Sequence, residues 1–193
     1  MTLIFSSEEK KDIIKAWVII SIAFSILITK NLFSADLFLN FLISFFTVGV
    51  GFLFHELAHK YLAQKYRYFA EFKADNKMLL ISIASAFLGF LFAAPGGVQI
   101  GGGYDQKKFG KIAAAGPAMN IILAVIFLIL DNFSTGIFKT VTSYGYNINS
   151  WLALFNLIPI FPFDGGKILN GSKTIYFTLV IISILLMVLG FLA

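Results

Sequence analysis

A succession of apolar segments, each near the length of a membrane span, constrains this chain more than any other feature. They cover about residues 13–30, 37–62, 78–94, 112–130, 146–163 and 173–193. A helix needs about 20 apolar residues to cross the hydrocarbon core, and few other structures satisfy their backbone hydrogen bonds there. Hydrophobic residues make up 59% of the chain and charged residues 13%, far from the balance of a soluble domain. The expectation is an all-α membrane protein, a polytopic helix bundle with five or six spans and a possible re-entrant segment. It is expected to form a single membrane-embedded domain over residues 1–193. The first apolar run follows Lys10, Lys11 and Lys15, but Phe33-Ser34-Ala35 makes a poor cleavage site. It reads as a retained span and not as a signal peptide.

Loop charge bears on how many segments cross. With a cytoplasmic N-terminus and six spans, nine of the 15 Lys and Arg residues lie inside and six outside. If 78–94 enters and leaves on the cytoplasmic side, Lys107, Lys108, Lys111, Lys167 and Lys173 move inside and Lys139 moves out. Thirteen are then inside and two, Lys30 and Lys139, outside. The excess of positive charge in cytoplasmic loops favours the second arrangement. The basic residues are spread over many loops and form no stripe, which argues against nucleic acid as a partner. The absence of cysteine excludes disulfides and thiolate ligands.

Both histidines fall in one short stretch, His55-Glu56-Leu57-Ala58-His59. Residues four apart share a helix face, so both imidazoles can address one metal ion. Glu56 then sits where a general base can reach the metal's water without taking a coordination site. Zinc suits nitrogen ligands, and a catalytic zinc keeps three protein ligands and one open position, with a water of pKa about 7. The stretch begins roughly 10 Å inside the end of its apolar run at 1.5 Å per residue. A carboxylate at that depth needs a partner. Lys60 and Tyr61, which follow, are residue types favoured at the membrane interface.

The third ligand follows by elimination. Glu8, Glu9 and Asp12 lie in the polar N-terminal segment, Asp36 and Asp131 at the far ends of spans, and Glu71, Asp75 and Asp105 in polar loops. Asp164 alone is set between an apolar span and a glycine pair, in "NLIPIFPFDGGK". Pro159 and Pro162 break the helix there. The re-entrant topology brings Asp164 to the cytoplasmic side with His55 and His59. An Asp-Gly pair is also an ordinary turn.

Together these residues resemble the site-2 proteases, the intramembrane zinc metalloproteases. Their pattern is HExxH on one helix and N-x-x-P-x-x-x-L-D-G on a later one. Here the second motif runs from Asn156 through Pro159 to Asp164-Gly165, with Phe163 in place of Leu. A third motif, G-P-x-x-N, is present as Gly116-Pro117-Ala118-Met119-Asn120. The resemblance covers about residues 40–170. It implies Zn2+ held by His55, His59 and Asp164, Glu56 as general base, and Asn156 near the substrate or the developing oxyanion. Asn120 is expected to bond between helices. The implied activity is hydrolysis of peptide bonds in or near transmembrane segments of membrane-protein substrates, within the bilayer of a prokaryotic cell membrane, with the site toward the cytoplasm. The other readings are a catalytically silent chaperone or binding protein of the same type, and, less favoured, a metal-ion transporter. No PDZ or CBS domain is seen. Residues 78–103 stand where the family has a short strand-rich insertion, and "PGGVQIGGG" offers an extended edge to a substrate peptide.

Overall fold

The structure, a computed structural model, describes residues 3–29, 34–91 and 95–192; Lys30, Phe33 and the end of the 78–94 segment lie outside them. Helix α1 (Ser7–Ile28) opens on a Ser6 cap whose hydroxyl accepts from Glu9 N, with Glu8 and Glu9 in its first turn. Such a cap satisfies an otherwise orphaned N–H, and the acids complement the helix dipole. Then follow α2 (Asp36–Ser44), a π-helical turn (Phe45–Gly49) and α3 (Val50–Lys65), which form one continuous 30-residue helix. The π turn is sealed from outside: the Trp17 indole N–H of α1 donates to Phe45 O at 3.1 Å, and the two rings stack at 4.4 Å. Next come β1 (Phe69–Ala74), α4 (Asn76–Phe87) and β2 (Gly96–Gly101). The chain ends with α5 (Gln106–Asp131), α6 (Gly136–Asn156), the short α7 (Gly165–Gly171) and α8 (Lys173–Leu192).

Among the described residues, three helices are long and apolar enough to cross a membrane: Asp36–Lys65, Gln106–Asp131 and Lys173–Gly190. Helices α1 and α6 have sufficient length, 22 and 21 residues. They fall short in composition, because α1 carries six charged side chains in its first nine residues and α6 is rich in Asn, Ser, Thr and Tyr.

The two strands depart from the all-α expectation. They pair antiparallel, with Phe69 opposite Gly101 and Ala74 opposite Gly96. Strands therefore do follow the HExxH helix, and residues 78–103 do not replace them. Helix α4, 12 residues long, is inserted between the strands. Asp75 N donates to Pro95 O at 2.9 Å, so the chain leaves and returns at the same point of the ladder. One edge of the sheet lies against α1, and β2 faces the interior of the helix bundle. Helix α5 packs against α3, α6 and α7 and so forms the centre of the molecule.

Candidate metal centre

Helix α3 carries two pairs of residues at i, i+4 spacing. His55 and His59 form one line; Glu56 and Lys60 form the next. Both histidines are buried. Asp164 arrives from the break between α6 and α7. It occupies the N-cap position of α7, yet its side chain makes no capping bond. Its carboxylate points at the imidazoles instead, with Oδ2 3.3 Å from His55 Nε2 and 3.0 Å from His59 Nε2. The two Nε2 atoms are 3.0 Å apart. Gly165 allows this approach, because a Cβ there would run into the Leu157 carbonyl.

The surrounding bonds fix which nitrogens carry protons. Asn120 is fully buried, and its Nδ2 donates to Gly51 O at 3.1 Å and to Asn149 Oδ1 at 3.0 Å. Its Oδ1 therefore faces His55 Nδ1, 2.6 Å away, as an acceptor. His59 Nδ1 donates in the same way to Ile112 O at 2.8 Å. Each ring thus has its N–H at Nδ1 and a lone pair at Nε2. Two lone pairs and a carboxylate oxygen converge with no donor between them, an arrangement that a bound cation relieves. A tetrahedral zinc with ligands at about 2.0–2.1 Å sets its donor atoms roughly 3.3 Å apart, close to the observed separations. The donor set fits zinc. Among the described residues, His55, His59 and Asp164 are the group whose ligand atoms lie within 4.8 Å of one another.

Room for an ion is kept by Gly116 on α5, since a Cβ there would collide with both Nε2 atoms. The second Asp164 oxygen, Oδ1, accepts from Lys167 Nζ at 3.3 Å. Glu56 lines the same cavity of about 600 Å³. Its Oε2 accepts from Val98 N of β2 at 3.1 Å. Asn156, the last residue of α6, also lines this cavity, with its Nδ2 turned back to Leu152 O at 2.9 Å. The structure thus brings all five residues singled out from the sequence to one cavity, with His55, His59 and Asp164 in close contact and Glu56 and Asn156 on the cavity lining.

Sequence reasoning placed Val98 only within a segment offered as a substrate edge, gave no role to Lys167, and assigned Asn120 to helix packing alone. Asn120 does bond between helices, but one of its partners is a donor histidine. A signal for Gly116 and Asn120 was available in the G-P-x-x-N motif, since positions 116 and 120 share a helix face.

Relatives bear on the chemistry. The chain is 41% identical over 164 residues to "Putative zinc metalloprotease MJ0611" of Methanocaldococcus jannaschii, covering 82% of this chain and 86% of that protein. "Zinc metalloprotease MJ0392" of the same organism is 31% identical over 134 residues, which span 66% of this chain but 33% of that longer protein. "Putative zinc metalloprotease YwhC" of Bacillus subtilis is 32% identical over 154 residues, 64% of this chain and 66% of that protein. No family model and no solved structure matches. The first of these relatives is matched over most of both chains, and the donor set suits the metal in its name. This chain belongs to the zinc metalloprotease family that these archaeal and bacterial proteins represent.

Proposed function

We propose that the protein is an intramembrane-cleaving zinc endopeptidase of the site-2 type, hydrolysing peptide bonds in or near transmembrane segments of membrane proteins. One observation carries the reading: His55, His59, Asp164 and Glu56 meet at one cavity, and the helix bearing three of them is long and apolar enough to cross a bilayer. The loop-charge pattern supports a five-span topology with residues 78–94 re-entrant and the site toward the cytoplasm, in a prokaryotic cell membrane.

His55, His59 and Asp164 would hold the ion. Zinc, when bound, supplies Lewis acidity toward water and the scissile carbonyl. Asn120 and the Ile112 carbonyl orient the imidazoles, and Lys167 holds the Asp164 oxygen turned away from them. Glu56 takes a proton from the attacking water and returns it to the leaving amine. Asn156, on the cavity wall, addresses the substrate carbonyl once its Nδ2 turns from Leu152 O.

The β2 edge supplies a place for the substrate chain. Val98 N points to Glu56, while Phe72 N, opposite Val98, points to Glu9 on the far side. Phe72 and Val98 are therefore a non-hydrogen-bonded pair. By the same alternation, the N–H and C=O groups of Gly96, Val98 and Ile100 face away from β1, and all three residues line the cavity. A helical segment unwound beside them can add as a strand. Pairing with Val98 N–H displaces Glu56 from that N–H.

The test is cleavage of a single transmembrane segment in liposomes by purified protein, with products read by mass spectrometry. A cut within or beside the segment is expected. Cleavage confined to soluble peptides would overturn the intramembrane assignment. Two variants refine it. Asn120→Ala should weaken zinc affinity by about 10–100-fold, measured by competition with a chelating dye. Val98→Pro should lower kcat/KM about five- to tenfold, the worth of roughly one hydrogen bond, with zinc retained. Proline is tolerated there because this N–H takes no part in the β1 ladder.

A further inference from the structure

We infer that the buried pair Glu9–Lys60 is a positioning device that sets the register of the strand pair on the catalytic helix, and thereby selects which substrate bond is cut. The inference rests on the reading of the β2 edge as the substrate's docking strand. Lys60 is 1% exposed and Glu9 2%, although Glu9 falls in a polar stretch of the sequence and Lys60 at the end of an apolar run. Lys60 Nζ donates to the Glu9 carboxylate at 2.8 Å and to Ala70 O of β1 at 2.7 Å. The ammonium also lies 4.8 Å from the Phe5 ring centre. Glu9 Oε1 accepts from Phe72 N at 2.8 Å, and one turn on, Asp12 Oδ2 accepts from Ala74 N at 3.1 Å. The carboxylates of α1 thus take the place of a third strand along the outer edge of β1.

Glu56 and Lys60 are four residues apart on α3. Glu56 holds the inner edge of the sheet at Val98, and Lys60 holds the outer edge at Ala70. The sheet is gripped from both edges by one face of the helix that bears the two histidines. A buried ion pair adds little net stability relative to apolar residues of similar volume, and its best-attested use is to specify register. With the outer edge occupied, a substrate strand can add only at β2. The position of β2 relative to Glu56 then sets the scissile bond. Strand side chains alternate with period 2, so a loosened register moves the cut by two residues.

The experiment compares wild type, the double variant Glu9→Gln/Lys60→Met and the single variant Asp12→Ala on one transmembrane substrate in liposomes. Removing both charges together leaves no unpaired ion in the interior. Zinc content and cleavage positions are measured for each. The double variant is expected to keep about one zinc per chain and to give products displaced in two-residue steps. Its kcat/KM should fall between tenfold and about 10²-fold, as small misplacements of a reacting group do, with KM carrying the larger share. Asp12→Ala, whose side chain is only partly buried, should show the same displacement more weakly. It decides the question if the double variant fails to retain zinc. A single wild-type cleavage position in every zinc-loaded variant overturns the inference. Failure of the wild type to cut any transmembrane substrate would instead overturn the function on which it rests.

Discussion

Glu56→Gln should bind zinc as the wild type does and hydrolyse its substrate about 10²–10⁴-fold more slowly, the range contributed by a positioned acid–base group. Glutamine matches glutamate in shape, and its Oε1 can still accept from Val98 N–H, now 3.1 Å from the Glu56 carboxylate. What it cannot do is take up a proton. The donor set of His55, His59 and Asp164 is untouched, so the prediction separates metal binding from catalysis. Metal analysis and product quantification on the same sample check it. Loss of zinc together with activity would mean that Glu56 acts structurally. Activity within a few-fold of wild type would remove its role as base.

Gly116→Val should abolish both zinc binding and activity. A Cβ at this position meets the Nε2 atoms of both histidines, and valine's two further carbons fill the remaining space. The imidazoles would have to rotate, which breaks the bonds from their Nδ1 atoms to Asn120 and Ile112 O. Disturbing such orienting bonds alone costs about 10–100-fold in metal affinity, and blocking the metal's position adds to that. Zinc content and unfolding temperature, measured together, check the expectation. A folded Gly116→Val protein with a full zinc complement would show that the ion lies elsewhere. Gly116→Ala should fall between the two, since only one carbon is added.

The site was legible in the sequence to the extent that its chemistry is local. HExxH places two imidazoles and a carboxylate on one helix by spacing alone. Asp164 could be reached by elimination because the chain has two histidines and no cysteine. The long apolar helices were equally plain. Strand β2 was legible only as the extended "PGGVQIGGG", and β1, "FAEFKA", not at all, because it is six residues long and does not alternate cleanly between apolar and polar. Its partner lies beyond an inserted helix, so no hairpin turn marks the pairing. Lys60 illustrates the limit more sharply. Next to Tyr61 at the end of an apolar run it reads as an interfacial residue, and Glu9 reads as part of a polar N-terminus. Their partnership spans 51 positions and buries both, which no local pattern encodes. The Val98–Glu56 bond is long-range in the same sense. Helices α1 and α6 have the length of a span without its composition, because α1 gathers its charges in its first turns and α6 carries many Asn, Ser, Thr and Tyr side chains.

The proposed function stands or falls with one catalytic zinc held jointly by His55, His59 and Asp164. The most direct measurement is the zinc content of the folded, detergent-purified wild-type protein, taken alongside its hydrolytic activity before and after chelation. The expected result is about one zinc per chain, with activity lost on chelation and restored by added zinc. Folded protein that cleaves its substrate while free of zinc would contradict the account.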